Sequence, residues 1–371
     1  MHIVLFFTFD ISLKHWKDSG LLEREVKIYK EIAEKNNFRY TFITYGDKSD
    51  LTLEGIPENL KIIPAYSLIK YSKKKSVRFL NSFKLPFLLK KEITDVNIIK
   101  TNQLNGSWVA IIYKLLTRKK LIIRTGFNAY NFAKLQKKSL VIKSGYFILT
   151  QIALIFSNLF TVTSSCDKYD LGESFYLSKK IKVRPNWVHL NKNSLRFNRH
   201  EKRILSVGRL EKQKNYEFLI RSFENSEYIL DIVGDGSLKK DLVSLSQEYN
   251  VKLNLLGNLG NDELINLYPE YRYFLIPSLY EGNPKVVLEA MAAGCIVVGT
   301  RIRSLEEIID SGKNGFLFTP SEENILNLIE HLNNKNQELN NISLAAIESI
   351  ETSNSIEKLM DLELQDYKNL T

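Results

Sequence analysis

Cysteine is almost missing. Cys166 and Cys295 are the only two in 371 residues, they lie far apart, and no spacing pairs them. That excludes a disulfide scaffold or a cysteine metal framework and suggests a reducing compartment. Five histidines (His2, His15, His189, His200, His331) are scattered without ligand spacing. No Asp-x-Asp cluster offers a metal–diphosphate site, so no metal and no cofactor are expected. There is no low-complexity tract. The opening MHIVLFFTFD has too short an apolar run and no basic lead, so it reads as a buried strand and not as a signal peptide. One long uncharged run does occur, Ser144 to Cys166, and its 23 residues could cross a bilayer. Gln151, Ser157 and Asn158 interrupt it, and it ends in the β-branched LFTVT. The expectation is a buried helix running into a parallel strand.

What is present is ordinary globular material, 44% apolar and 25% charged, in a length that suits two domains. The charge is split between them. Residues 1–200 carry 35 Lys+Arg against 15 Asp+Glu, a net +20, while residues 201–371 carry 17 against 27, a net −10. Residues 51–200 alone hold 27 basic and 7 acidic side chains. Such a half is expected to meet a polyanionic partner. In Tyr66–Lys91 the cations alternate with Leu, Ile, Phe and Tyr, the mixture of a surface that lies on an anionic membrane. An alternative is a nucleic-acid-binding protein, but no RNA-recognition, helix-turn-helix or zinc signature is present, and no nucleic-acid partner is expected.

Short strands alternate with helical patterns: HIVLFF, the LLEREVKIYKEIAEK helix, YTFITYG, NLKIIPA, DVNIIKT, KKLIIRTG and LFTVTSS. The pattern breaks at Arg184-Pro-Asn-Trp-Val-His189 and the polar stretch after it. It restarts with RILSVGRL, YILDIVGDG, VKLNLLGN, YFLIPS and CIVVGT. Apolar strands of this kind form parallel sheets covered on both faces. The expected fold class is α/β, with two doubly wound domains and a cleft between them. The first is residues 1–190, with the helix 355–371 packing back on it; the second is residues 203–354. Ligands are expected at the carboxyl ends of the strands.

The chemistry concentrates in Ser278–Gly294, SLYEGNPKVVLEAMAAG. Asn283 suits an N-cap and Pro284 the first helical position, so a helix is expected from Pro284 to Gly294. Its first N–H groups, on Lys285, Val286 and Val287, would form an anion site with the help of the helix dipole. Glu281 precedes the cap, where a group beyond the phosphates would lie, and Glu289 follows where a ribose would. Two carboxylates flanking a phosphate cradle describe a nucleotide-sugar site. Upstream, SVGRLEKQKN ends a strand with Gly208 and sets Arg209 and Lys214 in the next loop, cations fit to neutralise a diphosphate. Gly234-Asp235-Gly236 reads as a structural turn.

In order and spacing, VGRLEKQKN, IVGDG, LNLLGN, LIPSLYEGNPKVVLEAMAAG and SGKNGFLF resemble the C-terminal half of glycosyltransferase family 4, retaining enzymes of GT-B fold with an E-x7-E motif. The resemblance is specific over 203–320 and looser over 1–200. It implies that Arg209 and Lys214 bind the donor diphosphate, Glu281 the sugar, Glu289 the ribose and the 256–262 loop, with Gly257, the base. Gly20, in the loop after the first strand, would admit the diphosphate. Gly282, Asn283, Pro284, Lys285 and Val286 complete the donor set, and the candidate catalytic residues are Arg209, Lys214 and Glu281. Members of the family often carry an acceptor-side histidine. None lies between His15 and His189 here, and Arg124, Thr125 and Asn128 stand at the corresponding place. The implied activity is transfer of a hexose from a nucleoside-diphosphate sugar to a lipid-linked or envelope saccharide, in polysaccharide biosynthesis on the inner face of the cell membrane. A nucleotide-sugar epimerase or a phosphorylase is the alternative on the same fold.

Overall fold

The computed structural model describes every residue except 55, 58, 177–179, 189, 191–198 and 321–323, and the side chain at 336. The chain divides into two compact units, Met1–Pro185 with Met360–Thr371, and Asn186–Leu359. His189 and most of the polar stretch read as a linker lie outside the described residues.

The first unit is built on seven strands: β1 (His2–Phe6), β2 (Arg39–Thr44), β3 (Leu60–Pro64), β4 (Ile98–Thr101), β5 (Lys120–Arg124), β6 (Leu159–Val162) and β7 (Ile181–Val183), in the order β3-β2-β1-β4-β5-β6-β7. Every neighbouring pair is parallel. The central strands are buried on both faces, which is why their sequences run apolar without alternation. The helix Ile356–Leu370 crosses the unit boundary and anchors in this unit. Arg184 clamps Asp366 with Nε and Nη2 at 2.7 and 2.6 Å, and Lys100 pairs with Glu363. Burial pulls the Lys100 ammonium below its usual value, against the opposing pull of Glu363.

The second unit repeats the plan with β8 (His200–Val207), β9 (Ile229–Val233), β10 (Lys252–Gly257), β11 (Tyr271–Ile276), β12 (Ile296–Thr300) and β13 (Phe316–Phe318). Their order is β10-β9-β8-β11-β12-β13, again all parallel. Two apolar cores cover the sheet, one around Phe274, Leu288 and Met291, the other around Leu230, Phe223 and Tyr273. Strand order reverses between β8 and β11, so the loops that leave these two neighbours diverge and open a crevice at their carboxyl ends.

The uncharged run at 144–166 is a helix, Leu140–Phe156, followed by β6. It is not a buried helix, however. Thr150, Ala153 and Leu154 face the core, while Leu140, Val141, Ile148 and Ile155 are 48–81% exposed. A helix lying on a sheet buries one stripe only, so an apolar composition on every side does not enclose it. No helix among the described residues is long and apolar enough to cross a membrane.

Candidate functional site

Gly208 follows β8, where the next loop must bend across the strand end. A Cβ there would lie 2.7 Å from Cε of Lys214 and 3.0 Å from the Tyr216 hydroxyl, so only a glycine lets the Lys214 side chain lie over this position. Gly234, after the neighbouring β9, has φ +138°, and a Cβ on it would lie 2.1 Å from the Gly208 carbonyl oxygen. The IVGDG turn is therefore structural, and what it holds is the Gly208 loop.

The loop continues through the short 3-10 turn Lys212–Lys214. Gln213 ties it to the segment leaving β11: its carbonyl accepts from the Leu279 N–H at 2.9 Å and its Nε2 donates to the Tyr280 carbonyl at 2.9 Å. With the two loops so fixed, Lys214 Nζ donates to Glu281 Oε1 at 2.6 Å. The two side chains are 13% and 9% exposed. At that length and burial this is a strong, charge-assisted contact. Arg209 stays exposed, and its side chain makes no ion pair or hydrogen bond among the described residues.

The helix beyond Glu281 spans Lys285–Ala292, and Pro284 is its N-cap. Asn283 is not the cap. Its Oδ1 accepts from the Asn186 N–H at 3.0 Å, and its carbonyl accepts from Asn186 Nδ2 at 2.6 Å. Its side chain thus pins the start of the second unit instead of closing a helix. The Val287 N–H is also taken, by the Pro284 carbonyl at 3.1 Å, so it is not one of the open donors expected there. Gly282 is buried, and Val286 and Lys285 are partly exposed. Lys285 Nζ sits 4.7 Å from the centre of the Trp187 ring. Gly294, with φ +74°, ends the helix. Glu289, 8% exposed, lies in the apolar body of that helix and accepts a hydrogen bond from the Tyr268 hydroxyl at 3.1 Å. Gly257, with φ +71°, ends β10, and a Cβ on it would meet only open space.

The remaining candidates lie in the first unit. Gly20 does not follow the first strand directly: the helix Leu13–Asp18 intervenes, and Gly20, at φ +66°, turns the chain after it. Arg124 ends β5. Asn128 is buried, and its Oδ1 caps the helix Ala129–Leu135 by accepting from the Asn131 N–H at 3.1 Å. That cap uses one of the two acceptor positions of its side-chain oxygen. Among the described residues no cluster of His, Cys, Asp or Glu could hold a metal ion. Sequence reasoning missed Gln213, Asn186 and Tyr268, the three residues that brace Glu281, Asn283 and Glu289. No short motif marks them, since each acts from a distant part of the chain.

Two doubly wound parallel-sheet units of this kind make a GT-B fold, and solved GT-B structures superpose on the whole chain. A complex of Anabaena HepE with UDP and glucose matches with TM-score 0.76 at 17% identity, over 99% of this chain and 100% of that one. Sucrose-phosphate synthase from Thermosynechococcus elongatus matches with TM-score 0.78 at 16% identity, over 100% and 99%. Residues 189–349 match the family described as "Glycosyl transferases group 1". Among curated relatives, an N-acetylgalactosamine-N,N'-diacetylbacillosaminyl-diphospho-undecaprenol 4-alpha-N-acetylgalactosaminyltransferase of Campylobacter jejuni is 33% identical over 165 residues, 42% of this chain and 45% of that protein. An Escherichia coli UDP-Gal:alpha-D-GlcNAc-diphosphoundecaprenol alpha-1,3-galactosyltransferase is 28% identical over 254 residues, 62% of this chain and 64% of that protein. Three of the most similar curated relatives are matched over only 32%, 38% and 45% of their own length.

Proposed function

We propose that the chain is a retaining glycosyltransferase that moves a hexose from a nucleoside-diphosphate sugar to a polyprenyl-diphosphate-linked or other envelope saccharide. The observation that carries this reading is the buried Lys214–Glu281 pair at the switch point of the second sheet, with Glu289 eight residues further on. The pair fixes a carboxylate and an ammonium side by side where α/β sheets hold ligands. In this reading Lys214 and the uncommitted Arg209 neutralise the diphosphate, Glu281 and the Gly282–Val286 turn hold the sugar, and Glu289 the ribose. Gly257 and its loop face the base, and Gly208 keeps room for Lys214. The bond from C1 to the phosphate oxygen breaks while the acceptor oxygen bonds C1 on the same face. The hydroxyl proton passes to the departing phosphate, whose charge Arg209 and Lys214 stabilise. No metal is needed in this scheme, because the two cations supply the positive charge. Arg124 is assigned to the acceptor side. The names of two relatives, each specifying a diphospho-undecaprenol acceptor, support the lipid-linked substrate. The basic first unit fits peripheral attachment to the inner face of the cell membrane through Tyr66–Lys91, where Leu80 and Phe87 are exposed among lysines.

The test is a thermal-shift screen against UDP-, GDP- and ADP-sugars, followed by transfer of labelled sugar to a polyprenyl-diphosphate saccharide with and without chelator. Stabilisation by one nucleotide class and a chelator-resistant α-linked product are expected. Absence of any nucleotide-sugar stabilisation, a β-linked product, or activity abolished by chelator would count against the reading.

A further inference from the structure

The Leu140–Phe156 helix carries an unpaired apolar stripe. Val141, Ile148, Ile152 and Ile155 fall within roughly 60° of arc at 3.6 residues per turn and run along roughly 21 Å of helix. All four are exposed, Val141 to 81% and Ile148 to 55%. No other residue of the helix falls within that arc, and Ser144 and Gly145, which flank it, are uncharged. The opposite side, Thr150, Ala153 and Leu154, packs into the core of the first unit, so this stripe is the outward side of a firmly held helix. A stripe of this size needs an occupant.

The surrounding charge points to one. Between Asp95 and Asp167 the chain contains no Asp or Glu and ten Lys or Arg. Lys134, Lys137 and Lys138, all exposed, lead directly into the helix. A second copy docked on this stripe would bring no carboxylate from the same stretch to meet these lysines. An anionic monolayer offers what both features require, negative headgroups for the lysines and acyl chains for the isoleucines.

We propose that the Leu140–Phe156 helix lies in the plane of an anionic bilayer and beds Val141, Ile148, Ile152 and Ile155 below the headgroups. This is an insertion site separate from the basic Tyr66–Lys91 segment, and it rests on the membrane part of the function proposed above. It gives the attachment an apolar component that salt does not screen.

The test is sedimentation with phosphatidylcholine–phosphatidylglycerol vesicles and with phosphatidylcholine alone, at low and high salt. The proteins are the full chain, Ile148→Asp/Ile152→Asp, and Lys73→Glu/Lys74→Glu/Lys75→Glu. Both isoleucines are exposed, so the aspartate variant should keep its far-UV spectrum, melting temperature and nucleotide-sugar stabilisation. The unaltered chain should pellet with anionic vesicles and retain part of that binding at high salt. The aspartate variant should bind about tenfold more weakly or worse and lose the salt-resistant part. If the unaltered chain does not pellet, both membrane readings fall, while the nucleotide-sugar screen still judges the donor site. If it pellets and the aspartate variant pellets equally well, this helix is not the insertion site, although the membrane reading survives. A vesicle-free dimer that the aspartate variant splits into monomers would overturn the proposal in favour of a second copy.

Discussion

The Lys214–Glu281 pair can be taken apart so that its structural and functional roles separate. Lys214→Met keeps the stem and removes the ammonium, leaving a carboxylate that is 9% exposed without its partner. Breaking one side of a buried pair costs about 3–5 kcal/mol, because the remaining charge stays desolvated. In a unit of this size each kcal/mol lowers the melting temperature by about 2–4 °C, so a fall of roughly 6–20 °C is expected. Replacing both members, Lys214→Met with Glu281→Leu, removes the stranded charge, and stability should return to within about 1–2 kcal/mol of the parent. Nucleotide-sugar binding should not return, since a ligand diphosphate finds no ammonium and a sugar no carboxylate. The assay is thermal unfolding of the parent, both singles and the double, each with and without the nucleotide sugar that stabilises the parent. A Lys214→Met protein losing less than about 1 kcal/mol would refute the burial reasoning. A double variant stabilised by ligand as strongly as the parent would refute the site.

Arg209→Ala should leave the melting temperature within experimental reach of the parent, because the side chain is exposed and makes no ion pair or hydrogen bond among the described residues, yet kcat/KM should fall about 100-fold, as steady-state kinetics would show. Gly208→Ala forces Lys214 aside, since the new methyl would lie 2.7 Å from Cε; the flexible stem yields at about 1 kcal/mol in melting experiments, while donor affinity measured by calorimetry drops at least about tenfold. Asp10 gives a pH signature. Burial alone would raise its pKa, but hydrogen bonds from Arg78 at 2.8 and 2.7 Å and from the Tyr66 hydroxyl at 3.0 Å outweigh burial and hold it below the usual 3.8. A depressed carboxyl contributes stability above its unfolded value and loses it as pH falls through the folded one. Asp10→Asn should therefore be less stable than the parent from neutral pH down to about pH 4, and the two denaturation curves should converge below that.

Strands were the most legible feature. HIVLFF, YTFITYG, RILSVGRL and CIVVGT are apolar without alternation, and all four lie in parallel sheets. Short β7 and β13 escaped notice because three residues carry too little pattern to register. In the candidate site, the residues themselves were readable but their bracing was not. Glycines and charges at strand ends announce a loop with work to do, and Lys214 and Glu281 do meet. Gln213 and Tyr268 reach across 67 and 21 positions of sequence to fix them, and local spacing says nothing of such contacts.

Asn283 and the Leu140–Phe156 helix fail in the same way, and the failure is informative. In both cases a residue type was matched to its commonest local use. An asparagine before a proline favours a cap, and an uncharged helical run favours burial. The capping preference is worth about 1 kcal/mol, small enough for a specific tertiary demand to override, whereas burying one valine or isoleucine is worth about 1.5–3 kcal/mol. At Asn283 the demand is visible: Asn186 takes both the side-chain and main-chain oxygens, and Asn354 Nδ2 in turn donates to the Asn186 carbonyl at 2.7 Å. Three asparagines thereby join the first residue of the second unit to the helix that bears Glu289 and to the long helix Asn336–Asn354. At Leu140–Phe156 nothing in the unit covers the apolar side, so the cost of exposing Val141 and Ile148 stands uncompensated within the described chain. Where a local rule breaks and the compensation lies inside the fold, the reason is structural. Where it breaks and none is found inside, as on this helix, the compensation is to be sought in whatever the surface touches.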